Sequence, residues 1–328
     1  MKSFDNFVSG ILNYEYSLKE SFKFIDLFAG IGGLRLAFEK IGGKCVFSSE
    51  IDKQARITYK TNFKESPMGD INKILSKEIP NHDILLAGFP CQPYSYAGDR
   101  KGLKDKRSEL FFEIRRILKA KKPKSFLLEN VKGLTSLNGG KVMDKILNDL
   151  RSIGYNVFYK VLNTKEYGNT PQIRERVYIV GFLNDVNFNF PKPLKLKKQI
   201  KDLLLKKRQS DNFYYDQFSI HSKLKKEITK TNTIYQWRRK YVRENKSESC
   251  PTLTANMGTG GHNVPLIKDK YGIRKLTPRE CARFQGFPDS FILPNIANSH
   301  LYKQLGNSVS VPVIKRIAKE MKKCLNGL

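Results

Sequence analysis

Residues 24 to 38 read FIDLFAGIGGLRLAF. An apolar run with strand character enters a turn that carries Gly30, Gly32 and Gly33, and the chain leaves it with helical spacing. Such a turn lets bare backbone approach a ligand and aims helix N-terminal amides at its polar groups. A nucleotide-like ligand fits. The dinucleotide fingerprint GxGxxG would need glycine at 35, where Arg35 stands, so a nicotinamide cofactor is a poor match.

Outward from this turn, residues 22 to 183 alternate short β-branched or aromatic runs (FKFIDLF, KCVFSSE, HDILLAGF, KSFLLEN, RVYIVGF) with longer helical patterns (LRLAFEKIG, ELFFEIRRILKAKK, KVMDKILNDLRSIG). That alternation predicts an α/β fold, a doubly wound and mostly parallel Rossmann-like sheet. We divide the chain into an N-terminal extension at 1–21, a main domain at 22–189, a smaller and irregular lobe at 190–272, and a return to the main domain at 273–328. In the return, VPVIKRIAKEMKKCL places Val313 or Ile314, Ile317, Met321 and Leu325 on one helical stripe suited to docking on the main domain.

Composition narrows the class. The 328 residues, 40% of them hydrophobic, suffice for a packed core. No apolar run has the length of a membrane span, and the first residues carry acids where a signal peptide needs an apolar core, so a cytoplasmic protein is expected. Five scattered cysteines without a CxxC pair predict free thiols and no metal site. The formal charge of +29 points to a polyanion, nucleic acid before membrane, although part of any lysine excess serves solubility. Residues 191 to 246 hold 17 Lys or Arg against 5 Asp or Glu, a net of +12, and have the look of an electrostatic footprint.

Strand ends at the carboxyl edge of such a sheet form the ligand crevice. Glu50 ends the second run, twenty residues after Gly30, where a carboxylate can accept ribose hydroxyls, and Asp70 follows at the next strand end. In GFPCQPYSYAGDR, residues 88 to 100, Cys91 stands beyond the apolar run, unlike Cys45 and Cys324, which fit a core. SFLLEN delivers Glu129 to the same edge, and PQIRERVYIV brings Arg174 and Arg176. A thiol, a carboxylic acid and guanidinium groups make a nucleophile, a proton donor and an anion clamp. Read singly, each also has an ordinary use, Glu129 as a helix cap and the arginines in surface ion pairs.

The ordered set DLFAGIGG, GFPCQPYS, LLENVKG, PQIRERVYIVGF, RKLTPRECARFQGFP and YKQLGNSVSVPV resembles the bacterial-type DNA (cytosine-5-)-methyltransferases, across almost the whole chain outside the first twenty residues and the basic lobe. The resemblance implies an S-adenosyl-L-methionine-dependent methyltransferase domain joined to a target-recognition domain. It implies that Cys91 attacks C6 of a flipped-out cytosine, that Glu129 holds or protonates N3, that Arg176 hydrogen-bonds the ring oxygen, and that Arg174 stands with them among the catalytic residues. It places Phe28, Gly30, Gly32, Glu50, Ile51, Asp70, Pro90, Leu110 and Asn307 around the cofactor. Many relatives have an aromatic where this chain has Ile51, and YGNTPQ is one residue longer than the commoner YGxPQ.

In the same resemblance the basic lobe reads the target in double-stranded DNA. Lys197, Lys198, Lys206 and Lys207 are expected on phosphates, and Arg238 and Arg239 on guanines. Gln92, Ser95, Thr252, Gly258, Gly260, Gly261 and His262 complete the expected DNA contacts. An Arg-Arg pair also suits a solvated face, and Gly-Gly a hairpin. Three rivals stand beside this reading. An RNA cytosine methyltransferase would use the same core, but the long lobe and the absence of the Cys-Phe-Thr tripeptide of the transfer-RNA branch weigh against it. A silent DNA-binding fold would not need Cys91, Glu129 and Arg176 together. A redox thiol protein would want a resolving cysteine near Cys91. The expected protein is a monomer that modifies a short site, alone or shielding it from a cognate restriction endonuclease without forming a stable complex with it.

Overall fold

Strand β1 (Phe22–Leu27) is buried on both faces, with Phe24 turned to one side and Ile25 and Leu27 to the other, as a central strand of a covered sheet requires. The structure is a computed structural model that describes residues 22–89, 109–238, 240–258 and 263–326. With β2 (Gly43–Ser49), β3 (Ile84–Gly88), β4 (Ser125–Val131), β5 (Asn156–Asn163) and β6 (Glu175–Phe182), β1 forms a six-stranded sheet in the order β2-β1-β3-β4-β6-β5. The first four in that order are parallel, and β6 runs antiparallel to both its neighbours.

Helices α1 (Gly33–Glu39), α2 (Lys53–Phe63), α3 (Glu109–Lys121), α4 (Lys141–Ser152) and the short α5 (Thr164–Tyr167) connect these strands. Period-two alternation sorts the core: Phe24, Leu86, Leu127 and Val180 pack with α1 on one face, while Ile25, Leu85, Leu128 and Ile179 pack with α3 and α4 on the other. This is the doubly wound sheet expected. Strand β5 was not among the runs read from the sequence. It is the edge strand, and its exposed Tyr159 and Lys160 interrupt the apolar pattern.

The lobe expected to be irregular is partly ordered. After α6 (His221–Glu227), strands β7 (Tyr235–Trp237), β8 (Val242–Glu244), β9 (Val264–Asp269) and β10 (Gly272–Lys275) form an antiparallel sheet in the order β10-β9-β7-β8. Runs this short are too brief to display a period. Strand β10 extends past the boundary drawn at 272, and the return begins at α7 (Pro278–Phe284), capped by Thr277 with proline in its first turn. The fully buried Arg274 ties the two parts together, pairing with Glu280 at 2.7 and 2.8 Å and with Asp269 at 2.7 Å. Helices α8 (Asn298–Asn307) and α9 (Val311–Asn326) follow, and Val313, Ile314, Ile317 and Met321 of α9 are fully buried in the core shared with α1. Cys45, Cys250, Cys281 and Cys324 are free thiols. No helix among the described residues is long and apolar enough to cross a membrane.

One buried polar group works against this core. Asp26 of β1 is fully buried, and neither carboxylate oxygen has a hydrogen-bond partner. Burial pushes its pKa up to about 8, against the opposing pull of Arg35. In the unfolded chain the same carboxyl ionises near its ordinary value of about 4, so its contribution to stability is full below that pH and is lost as pH rises through about 8. Asp26→Asn, neutral throughout, is expected to flatten the decline of Tm between about pH 5 and pH 9. Thermal melts across that range check it, and parallel slopes for the two proteins would contradict it.

Candidate active site

Because β6 is reversed, its first residues lie at the edge where β4 ends. Arg176 pairs with Val131 and Tyr178 with Glu129, which sets Arg176 diagonal to Glu129 on one face of the sheet. The Arg176 Nε stands 3.2 Å from Glu129 Oε1, and Arg176 Nη1 donates to the Glu175 carbonyl at 2.8 Å. Burial raises the Glu129 pKa, while Arg176 and then Arg174 pull it down. A carboxyl so balanced can hold or give a proton next to a fixed cation. Gly88 leaves this carboxyl open on the neighbouring strand, where an added Cβ would come 3.8 Å from Glu129 Oε2. Asn130, overlooked in the sequence, donates to the Phe89 carbonyl at 3.1 Å and fixes the exit of β3. Its only signal was a polar residue within a buried strand end. Pro90, Cys91, Gln92 and Ser95 lie outside the described residues.

A cavity of about 730 Å³ runs along this edge, lined by Phe28, Gly30, Glu50, Ile51, Asp70, Leu110 and Asn307 at one part and by Glu129, Arg174 and Arg176 at another. Thus the expected cofactor residues that are described, apart from Gly32, all face one space. Gly30 has φ +56° and open space where a Cβ would stand. Glu50 accepts from Gly30 N and from Asp52 N, each at 2.7 Å, and burial raises its pKa against these two bonds. Each oxygen keeps acceptor capacity for a ligand hydroxyl. Asp70 caps its own turn, accepting from Asn72 N at 3.0 Å, and Ile51 is 70% exposed, an apolar surface at the cavity.

Gly32 acts from behind. A Cβ there would stand 2.2 Å from the Phe63 ring, and its φ is +83°. Arg35, at the position of the absent third glycine, lies 4.5 Å over that ring and binds Glu39 at 2.6 Å, Glu65 at 2.7 Å and Tyr59 Oη at 3.1 Å. The glycine turn is therefore gripped by α2 on one side and by Glu50 on the other.

Arg174 borders the cavity but is tied to backbone, and the expected DNA contacts are dispersed. Arg174 is 2% exposed, and its guanidinium donates to the carbonyls of Leu253 (3.0 Å), Gly306 (3.2 Å) and Ser308. Burial, with Arg176 adding to it, lowers its pKa to about 9. Thr252 Oγ1 donates to the Ile173 carbonyl at 2.6 Å, and Gly258 packs on Tyr302. Arg238 hydrogen-bonds Asn263, and Lys197, Lys198, Lys206 and Lys207 are exposed. Arg239, Gly260, Gly261 and His262 lie outside the described residues. Among the described residues no three His, Cys, Asp or Glu side chains gather as a metal site.

The profile of the C-5 cytosine-specific DNA methylase family matches residues 22–323. The chain belongs to that family. This methylase is 55% identical over 308 residues to Type II methyltransferase M.Bsp6I of Bacillus sp. (strain RFL6), covering 91% of this chain and 98% of that protein. Its identity to Type II methyltransferase M.HaeII of Haemophilus aegyptius is 48% over 312 residues, 94% of this chain and 95% of the other. Among solved structures, S. pombe Dnmt2 methyltransferase superposes with a TM-score of 0.75 at 23% identity, over 92% of this chain and 99% of that one, a likeness of fold. A putative DNA modification methyltransferase encoded within an E. coli prophage gives 0.68 at 25% identity, over 93% and 100%. Family membership makes the methylase a DNA (cytosine-5-)-methyltransferase, an enzyme that needs a methyl donor.

The two glycines of the turn should respond differently to a methyl group. Gly30→Ala meets only the cost of its φ, about 1–2 kcal/mol. Gly32→Ala carries the same strain and must also displace the Phe63 ring, adding about 1–3 kcal/mol. Urea unfolding is expected to rank Gly32→Ala as clearly the less stable, and the reverse order would contradict the grip described.

Proposed function

We propose that this methylase transfers the methyl group of S-adenosyl-L-methionine to C5 of a flipped-out cytosine in a short duplex DNA site, through a covalent bond between Cys91 and C6. The observation that carries the reading is the Glu129–Arg176 pair at the sheet edge, sharing one cavity with the glycine turn and Glu50. The cavity residues fit the cofactor: Glu50 has acceptors for ribose hydroxyls, Asp70 an acceptor for the adenine amino group, Ile51 an apolar face for the ring, and Gly30 open backbone. When bound, S-adenosylmethionine supplies an electrophilic methyl group.

The protein's residues prepare the base to receive it. The Cys91 thiolate adds to C6, forming the C6–S bond, while Glu129 gives N3 a proton and Arg176 donates to O2, so the ring electrons gather at C5. After C5 is methylated, its proton leaves to a base, the C6–S bond breaks, and the thiolate is restored as N3 returns its proton to Glu129. Swinging the cytosine out of the duplex costs a few kcal/mol, roughly, which contacts in the pocket offset. The order in which Gly88, Glu129 and Arg176 line up at the edge suits a planar base held by its N3 and O2 side.

We assign the lobe from residue 190 to the end of β10 to target recognition. Exposed lysines there would contact phosphates, and Arg238, held by Asn263, would present its remaining donors to a guanine. Relatives named Type II methyltransferases support a role in a restriction-modification system. In that role the methylase would act as a cytoplasmic monomer protecting the site that its endonuclease cuts. The test is nucleoside mass spectrometry on mixed-sequence duplex DNA and on bulk transfer RNA, each incubated with S-adenosylmethionine and wild type or Cys91→Ser. 5-Methylcytosine is expected in DNA alone and with wild type alone. Product in RNA alone would give the substrate to the rival reading, and equal product from Cys91→Ser would remove the thiol from the mechanism.

A further inference from the structure

The sequence places Arg174 with Arg176 among the catalytic residues; it borders the cavity, yet its guanidinium is 2% exposed and directed at backbone. Nη1 donates to the Leu253 carbonyl, on the segment that leads into the recognition lobe's strand β9, and Nη2 donates to the carbonyls of Gly306 and Ser308. Those two residues flank Asn307, which lines the cofactor part of the cavity. The seam around Arg174 is closely tied: Ile173 N donates to the Cys250 carbonyl at 2.8 Å, Cys250 N to Pro171 at 2.6 Å, and Thr252 Oγ1 to Ile173 at 2.6 Å. Beyond it, a Cβ on Gly306 would stand 2.2 Å from the Thr254 backbone, and one on Gly33 would stand 2.8 Å from Val309. The contacts thus run without a gap from the recognition segment through Arg174 to the C-terminal end of α8 and the glycine turn.

We propose that Arg174 is a positioning residue for the cofactor site: it fastens the C-terminal end of α8, at Asn307, to the recognition segment and to the strand that carries Arg176, and it does not touch the base. The proposal rests on the cofactor reading above. A lysine cannot replace the guanidinium, because one ammonium does not span carbonyls on two separate segments with the fork geometry of arginine.

The experiment measures S-adenosylhomocysteine binding by calorimetry, without DNA, for the full-length wild type, Arg174→Lys, Arg176→Gln and Thr252→Val, with melting curves of each. Arg174→Lys is expected to weaken binding by about 10-fold or more, as loss of charged hydrogen bonds implies, while Arg176→Gln stays within about 2-fold. Thr252→Val, which loosens the seam without reaching the cavity, is expected to weaken binding by about 3-fold and serves if Arg174→Lys does not fold. In steady-state kinetics Arg174→Lys should raise KM for the donor, and Arg176→Gln should lower kcat. Unchanged binding in both Arg174→Lys and Thr252→Val would overturn the proposal, as would an Arg174→Lys enzyme whose defect is confined to kcat, the signature of a base ligand. Failure of the wild type to bind would instead remove the cofactor reading on which the proposal stands.

Discussion

The site depends on the reversal of β6 beside β4. In a wholly parallel sheet the first residues of a strand lie at the edge opposite to the last residues of its neighbour, and Arg176 would stand a strand length from Glu129. Antiparallel pairing sets Arg176 against Val131 and brings the guanidinium onto the Glu129 carboxyl at 3.2 Å. Both groups are largely withdrawn from water, where desolvation consumes much of the attraction between them. The pair is therefore a poor device for stability and, on the function proposed, a suitable one for chemistry, since a base held against both groups would meet a proton source and a fixed cation already oriented.

The part of the cavity around Gly30 and Glu50 follows a similar logic of fixed backbone. Glu50 holds the glycine turn from the front through Gly30 N, and Phe63 supports Gly32 from behind beneath Arg35. Asp52 links the two, because it caps α2 while its backbone amide binds Glu50 and its carboxylate binds Lys303 at 2.7 Å. The residues proposed to meet the cofactor are thus held by neighbours on three separate stretches of chain, which is how a site keeps its geometry before anything binds.

Much of this was legible in the sequence where the physics is local. Central strands buried on both faces leave apolar runs, and α9 leaves a helical stripe, so β1, β3, β4, β6 and α9 could all be read, and the edge strand β2 still carried enough apolar residues to be read with them. Edge strand β5 and the strands of the small sheet, some only three residues long, leave no such pattern. At the site, Glu129, Arg176, Glu50 and Gly30 were visible as strand-end residues of suitable chemistry. The place of Arg174 was not, because its partners are backbone carbonyls of residues about 80 and 130 positions away, and a carbonyl has no side-chain signature. Arg35 looked like a defect in a glycine fingerprint, whereas its stacking on Phe63 makes it a support of the turn.

The central claim is that a cytosine held at this sheet edge is attacked by Cys91. The most direct measurement replaces the target cytosine of a substrate duplex with 5-fluorocytosine, in which the group that must leave C5 as a proton is a fluorine that cannot, and identifies any covalent adduct by peptide mass spectrometry. The account predicts an adduct that forms only with S-adenosylmethionine present and lies on the peptide containing Cys91. An adduct on Cys45, Cys250, Cys281 or Cys324, or methyl transfer to ordinary duplex with no adduct on the fluorinated one, would contradict it.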